Sequence, residues 1–434
     1  MRVVNRGRVQ VVIGVVGVGT LLALTACAPA EEASPPPSPT PESSSPEPYS
    51  GPVSFVADEV SWLLPSADDI VTLIPSAVDV SGPSDVLEQI SDGGGPEFAP
   101  AICGVLYMEQ TLGSLATRTM SWSMPSDTEF SRNSVVAMQF ADEAHAAARM
   151  DQLERAAAEC GEFDYDGRNT FESVVAEEQD GVRALAGALN ADPSSGGWRV
   201  FHGFAAVGNA VVHLQTSLPE SAPIDPAAAA ELLQATAISG ESELVEKLTA
   251  TPPATSTEPV GDAAGPWGEW SITGSGVGPI RLGDTLDEAA AAAAAAAAVP
   301  DATVTPPAYD GGASIFTSPD GVSSLSVTVA ESGTISEITV GAVSDEEEAG
   351  TDGAASPHAL EVRIGDPLSS AVSAFPSGTR VHVVSSGQWA YFVADRDGRL
   401  LVFHTARDDA GAPDARIIGI TTADATLRGD LTVE

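Results

Sequence analysis

The feature that most constrains how this chain can fold is an internal repeat toward its C-terminus. Ile280-Arg281-Leu282-Gly283-Asp284-Thr285-Leu286 recurs as Val362-Arg363-Ile364-Gly365-Asp366-Pro367-Leu368. Ala289 and Ala371, Ile335 and Ile417, and Ile338-Thr339 and Ile420-Thr421 keep the same offset. Agreement at both ends of the unit marks two copies of one helix-plus-strand module. In each copy a strand stops at Gly and the next residues open a helix. Thr285 with Glu288 reads as a capping box, and Asp366 before Pro367 as an N-cap followed by Pro at the first helical position. The first helix runs into ten alanines, Ala289 to Ala298, ahead of Pro300; the second shows Leu368, Val372 and Phe375 at helical spacing ahead of Pro376. Strands are expected at 314–317, 323–329, 335–340, 389–394, 400–405 and 416–421. Asp395-Arg396-Asp397-Gly398 supplies a strong hairpin signal.

The opposite end of the chain bears on location. Arg2, Arg6 and Arg8 precede an apolar run from Val9 to Ala26, the pattern of a secretory signal peptide. Leu24-Thr25-Ala26-Cys27 resembles a bacterial lipobox, which implies lipidation of Cys27, anchoring at the cell membrane and exposure on the extracytoplasmic face. An uncleaved transmembrane anchor is the rival reading, because the run reaches the lower edge of what spans a bilayer. Residues 28–52 hold nine prolines and four acids without a basic residue, a disordered stalk that could extend roughly 75 Å.

The 434 residues carry 61 acidic against 19 basic groups, a formal charge of −42. Such a field argues against nucleic acid and against lying flat on an anionic lipid surface. With Cys27 lipidated, Cys103 and Cys160 remain. In an oxidising compartment they have one intramolecular pairing, worth about 4 kcal/mol in the chain-entropy model.

The expected organisation is therefore 1–27 signal peptide, 28–52 stalk, 53–250 a first domain, 251–265 a Pro/Thr-rich linker and 266–434 the tandem repeat. The fold class is α+β, each domain an antiparallel sheet packed with helices. In the first domain Ser66 should cap a helix over 67–74, and 134–140 should form a strand. Residues 141–158 should form an Ala-rich helix with Ala144, Ala148 and Leu153 toward the core, ending beside Cys160. Further strands are expected at 171–175 and in a hairpin of 198–207 and 210–215 turning at Gly208-Asn209. Asp225-Pro226 should open a terminal helix.

This order, with its two cysteines, Phe140 before the helix and the late hairpin, resembles the extracellular sensor domain of PknH-type bacterial serine/threonine kinases, also found in actinobacterial lipoproteins. The resemblance covers 53–250 and implies an antiparallel sheet with helices around a ligand cleft. Members often carry a second disulfide, for which this chain has no residues. The repeat, over 267–423, resembles the BamE-like and β-lactamase-inhibitor-protein-like modules, which grip other proteins. The poly-Ala helix departs from that pattern.

No Gly-x-Ser-x-Gly, His-Glu-x-x-His, phosphate loop or Ser-x-x-Lys occurs. Gly274-Ser275-Gly276-Val277-Gly278 reads as a flexible turn. The six histidines are scattered, with His202 and His213 plausible cross-strand neighbours on a polar sheet face. Asp345–Glu348 with Asp352, and Asp164-Tyr165-Asp166-Gly167, read as solvated loops in preference to calcium sites. Trp122, Trp198, Arg199 and Phe201 are the candidate cleft residues, set against a core role for at least two of them. The function expected is binding of an envelope small molecule or protein without catalysis, metal or cofactor. A cell-envelope hydrolase, or an inhibitor or adaptor acting through the repeat, is the alternative.

Overall fold

Alternation of apolar and small residues in the first half builds one eight-stranded sheet. Its strands are β1 (Val78–Ser84), β3 (Ala116–Ser123), β4 (Ser134–Gln139), β5 (Phe163–Asp164), β6 (Arg168–Val175), β7 (Arg183–Asn190), β8 (Arg199–Val207) and β9 (Ala210–Ser217), while β2 (Val86–Gln89) leaves for a second sheet. The order is β1-β3-β4-β9-β8-β7-β6-β5, antiparallel throughout. The computed structural model describes residues 48–89, 98–125, 131–192, 199–218, 223–253, 266–296, 303–305, 313–318, 321–344, 353–384, 387–406 and 414–427. The chain divides into two units, residues 1–45 and 46–434. The signal segment, Cys27, Trp198 and the Asp345–Glu348 cluster with Asp352 lie outside the described residues. The architecture is α+β.

Two cores flank this sheet. On one face α1 (Ala67–Leu73), α3 (Pro226–Ala250) and a 3-10 turn at Ala57–Leu63 bury Leu63, Ile70, Leu233 and Leu244 against Val135, Phe201 and Val212. Each such side chain contributes about 1.5–3 kcal/mol by leaving water. The caps fall where the sequence places them: Ser66 accepts from the Asp69 amide and Asp225 from the Ala227 amide. At the hairpin turn, Gly208 takes φ +52°. The buried Asn209 side chain bonds both the amide and the carbonyl of Phe55, clamping the entering chain.

On the other face lie α2 (Glu143–Glu159) and a 3-10 turn at Ala101–Leu106, joined by the Cys103–Cys160 disulfide. The inward stripe of α2 is Ala146, Arg149, Met150, Leu153 and Ala156. Ala144, expected inward, is exposed, and Ala148 is half-buried. Arg149 takes an inward position instead: its guanidinium turns into the protein and donates to the Gln110 carbonyl and Oε1.

The second sheet has β13 (Thr303–Thr305), β14 (Ser314–Thr317), β15 (Ser324–Val329), β16 (Ile335–Gly341), β17 (Thr379–Val383), β18 (Gln388–Ala394), β19 (Arg399–Thr405) and β20 (Ile417–Asp424). Its order is β13-β14-β15-β16-β20-β19-β18-β17-β2, so β2 from the first half is the ninth strand and runs parallel to β17. A small ribbon of β10 (Ile272–Thr273), β11 (Gly276–Val277) and β12 (Ile280–Arg281) precedes the first repeat helix. The glycine-rich stretch supplies the turn after β10, the strand β11 itself and the start of the turn into β12. Gly278, at φ +54°, lies so close to Trp270 that a Cβ there would meet the indole at 2.5 Å.

The repeat is visible in the backbone. Gly283 N donates to Ile335 O and Ile335 N to Asp284 O; Gly365 N donates to Ile417 O and Ile417 N to Asp366 O. Thr285 and Glu288 form the expected capping box at α4 (Leu286–Ala295). Asp366 does not cap α5 (Leu368–Ala374). Its carboxylate accepts from the Arg363 amide and closes the preceding turn, leaving Pro367 as a cap without a side-chain bond. Val372, at helical spacing with Leu368 and Phe375, is 36% exposed, and the buried residues of this short helix are Leu368 and Ala371.

The two sheets meet along a polar seam. Arg118, 4% exposed, bonds Asp58 at 2.6 Å, Thr379 Oγ1 at 3.2 Å and the Ser377 carbonyl at 3.1 Å. Buried Glu59 receives Lys247 at 2.7 Å and Arg396. Leu115 and Ala141 of the first half share a small core with Ala390, Leu400 and Val402 of the second.

Candidate functional site

The helical cover of α2 stops short of the lower part of its sheet face. Strand alternation puts Ser134 and Val136 of β4, His213 and Gln215 of β9, and Val200 and His202 of β8 on that face, with Val136 opposite His213 and His202 opposite Gln215. They form the floor of a cleft made of two joined hollows. One, of about 280 Å³, is walled by residues 106–110 together with Leu189 and Val200. The other, of about 440 Å³, is walled by residues 84–88, by Thr119 and Ser121 of β3, and by residues 131–133. Glu109, Arg132, His213 and Gln215 line both.

The wall at 106–110 is held from behind. Arg149 fixes Gln110, whose side-chain amide donates to the Val105 carbonyl at 2.6 Å. Arg149 lies over the Phe140 ring at 5.7 Å, and burial lowers its pKa to about 10. At the rim Arg132 bonds Glu109 at 3.1 Å. Opposite, Asp85 takes a two-pronged bond from Arg380, 2.7 and 3.2 Å, which anchors β2 to β17. Burial works to raise the Asp85 pKa, but the hydrogen bond and charge of Arg380, its own backbone amide and the charge of Arg118 together outweigh this and lower it.

On the floor His202 Nδ1 and His213 Nε2 are 3.1 Å apart, and the rings are stacked with Phe204. The residues are 3% and 7% exposed. Burial lowers the pKa of His202 to about 4 and that of His213 well below 6.5, with the charges of His202 and Arg149 adding to the effect on His213. Both rings are therefore neutral around pH 7. Their other nitrogens, His202 Nε2 and His213 Nδ1, bond no described residue, and both residues line the cleft.

Of the four residues singled out from sequence, the three that are described do not share the cleft. Trp122 borders the larger hollow, but its ring belongs to the core beneath α3, where the indole N–H has no protein partner. Phe201 is fully buried in that same core, on the opposite sheet face from His202. Arg199 is spent on Asn190 Oδ1, at 2.6 Å. Trp198 lies outside the described residues. One position along β8 separates Phe201 from His202, and that step changes the face. The His202–His213 pair was legible as a cross-strand contact, whereas the lining from Glu109, Arg132 and residues 84–88 carried no sequence signal.

Elsewhere, His382 stacks on Trp389 at 4.4 Å, His404 Nε2 bonds Thr421 Oγ1 at 2.8 Å, and His145 bonds its N-cap Asp142. Asp164 to Gly167 form the turn between β5 and β6. Among the described residues no three His, Cys, Asp or Glu side chains are grouped to hold a metal ion, and no helix is long and apolar enough to cross a membrane.

No protein-family model matches the chain, and no curated protein matches it. Among solved structures, the extracellular domain of PknH from Mycobacterium tuberculosis is similar at 13% identity and a TM-score of 0.31, over 45% of this chain and 100% of that one. An uncharacterized protein of Mycobacterium smegmatis, the Rv0999 ortholog, is similar at 17% identity and a TM-score of 0.24, over 44% of this chain and 98% of that one.

Proposed function

We propose that the protein is a lipid-anchored, extracytoplasmic binding protein that holds a small envelope ligand in the cleft on the first sheet, without catalysing a reaction on it. Cys27 carries the lipid. The observation that carries the proposal is the cleft itself. Its larger hollow, about 440 Å³, is of the size that small ligands fill, and three separate chain segments wall it. Binding without catalysis is supported by the histidine pair, whose members bond each other and, among the described residues, no hydroxyl or thiol nucleophile. The disulfide beside the 106–110 wall fits an oxidising compartment.

Native mass spectrometry of residues 28–434, secreted from an actinobacterial host, tests this. A discrete small-mass adduct on the wild type that is missing from Val136→Trp, which fills the cleft floor, is the expected result. An apo mass under all conditions, or an adduct indifferent to Val136→Trp, contradicts it.

A further inference from the structure

We propose that the ligand of the cleft is a neutral polyhydroxylated compound, an oligosaccharide, read through its hydroxyl groups by the His202–His213 pair. This rests on the cleft being a binding site, as proposed above.

The bond between His202 Nδ1 and His213 Nε2 uses one nitrogen of each ring. Two neutral imidazoles share two N–H groups, and one of these lies in the bond between them. If His202 donates, His213 Nδ1 carries the second N–H and His202 Nε2 a lone pair. If His213 donates, the roles exchange together. In either setting the pair offers the cleft one donor and one acceptor. A hydroxyl satisfies both settings, since it donates and accepts. A carboxylate or phosphate would face a lone pair in either setting, and an ammonium an N–H.

The surroundings select the same chemistry. Thr119, Ser121, Ser134, Asn133 and Gln215 line the larger hollow with hydroxyls and amides. The Glu109 and Arg132 charges bond each other at the rim. A chain charge of −42 opposes anions at long range. Tyr107, Leu189 and Val200 give the smaller hollow an apolar strip that suits the C–H faces of sugar rings.

The test is calorimetric titration of the compact 46–434 unit with short neutral hexose and pentose oligosaccharides, then with uronic acids, acidic and basic peptides and fatty acids. A neutral oligosaccharide should bind, and His202→Phe and His213→Phe, which keep the stacked ring and remove its nitrogens, should each weaken it about tenfold or more. Val136→Trp should abolish it even if one histidine variant fails to fold. The affinity should be level from about pH 8 to pH 6 and fall toward pH 4, because protonation makes both free nitrogens donors. The charged and titratable groups facing the pair are Arg149 from α2, Glu109 and Tyr107 from the wall, Arg132 from the rim and the exposed Glu88 of β2 across the larger hollow, and Glu109→Gln and Glu88→Gln should each leave that fall in place. If a peptide, uronic acid or fatty acid binds, Val136→Trp blocks it and no neutral sugar binds, the saccharide assignment is overturned while the cleft survives. Sugar binding indifferent to both histidine variants overturns the role of the pair. If no probe binds, the saccharide assignment is overturned, and the native mass spectrum decides the cleft.

Discussion

Thr339 Oγ1 and Thr421 Oγ1 lie 2.8 Å apart, and the two threonines, 82 positions apart, are the same residue of the repeat. They face each other in the antiparallel pair of β16 and β20, with Ile338 opposite Thr422 and Val340 opposite Ile420. Adding the repeat offset to one member of each pair generates the other pair, so the two modules are related by a local two-fold passing between these hydroxyls. The second sheet is thus one module joined to its copy through their last strands.

That junction is testable. Thr421 also bonds His404 Nε2 at 2.8 Å, whereas among the described residues no such second bond links Thr339. Thr339→Val should cost about 1 kcal/mol, one lost buried hydrogen bond. Thr421→Val should cost about 2 kcal/mol, because it strands two partners. Urea denaturation at pH 7.5 checks the order; equal costs would remove His404 from the network.

Seam residues should couple the halves. Glu59 is nearly sealed from solvent yet neutralises Arg396 and Lys247. Glu59→Gln should destabilise by about 2 kcal/mol, less than a fully buried pair because Lys247 is half-exposed. Calorimetry should show the wild type melting in one transition and Glu59→Gln moving toward two.

The disulfide joins α2 to the turn that begins the cleft wall. Cys103→Ala or reduction should lower stability by about 2–5 kcal/mol. Hydrogen exchange should quicken first at residues 101–111.

Acid should act through the buried histidines. The folded pKa values of His202 and His404, about 4, lie below the ordinary 6.5. The unfolded chain then binds more protons between those limits. Their contribution is fully present above pH 6.5 and is lost as pH falls toward 4, at up to about 1.4 kcal/mol per pH unit for each ring. Unfolding free energy measured against pH should have a shallower acid limb in His404→Gln than in the wild type.

Much of the fold was legible where chemistry is local. The caps at Ser66, Asp225 and Thr285, the turn at Gly208-Asn209 and the repeat each depend on a few neighbouring residues. What escaped depends on tertiary partners. β7 reads as a bland alanine- and glycine-bearing stretch, and Gly187 is needed only because Phe171 and the β6 backbone press against it. β2 is a strand because β17, nearly three hundred residues later, supplies its ladder. The cleft was the least legible part. Its large aromatic neighbours Phe201 and Trp122 serve the core, and its lining is made of small polar residues from segments that only folding brings together.

Hydrogen exchange compares the secreted protein with the same protein stripped by denaturant and refolded, and so tests the cleft most directly. The account predicts slower exchange in the secreted form at β4, β8 and β9 around Val136, His202 and His213, with the α3 face unchanged. Identical rates on those strands, or protection confined to the second sheet, would contradict it.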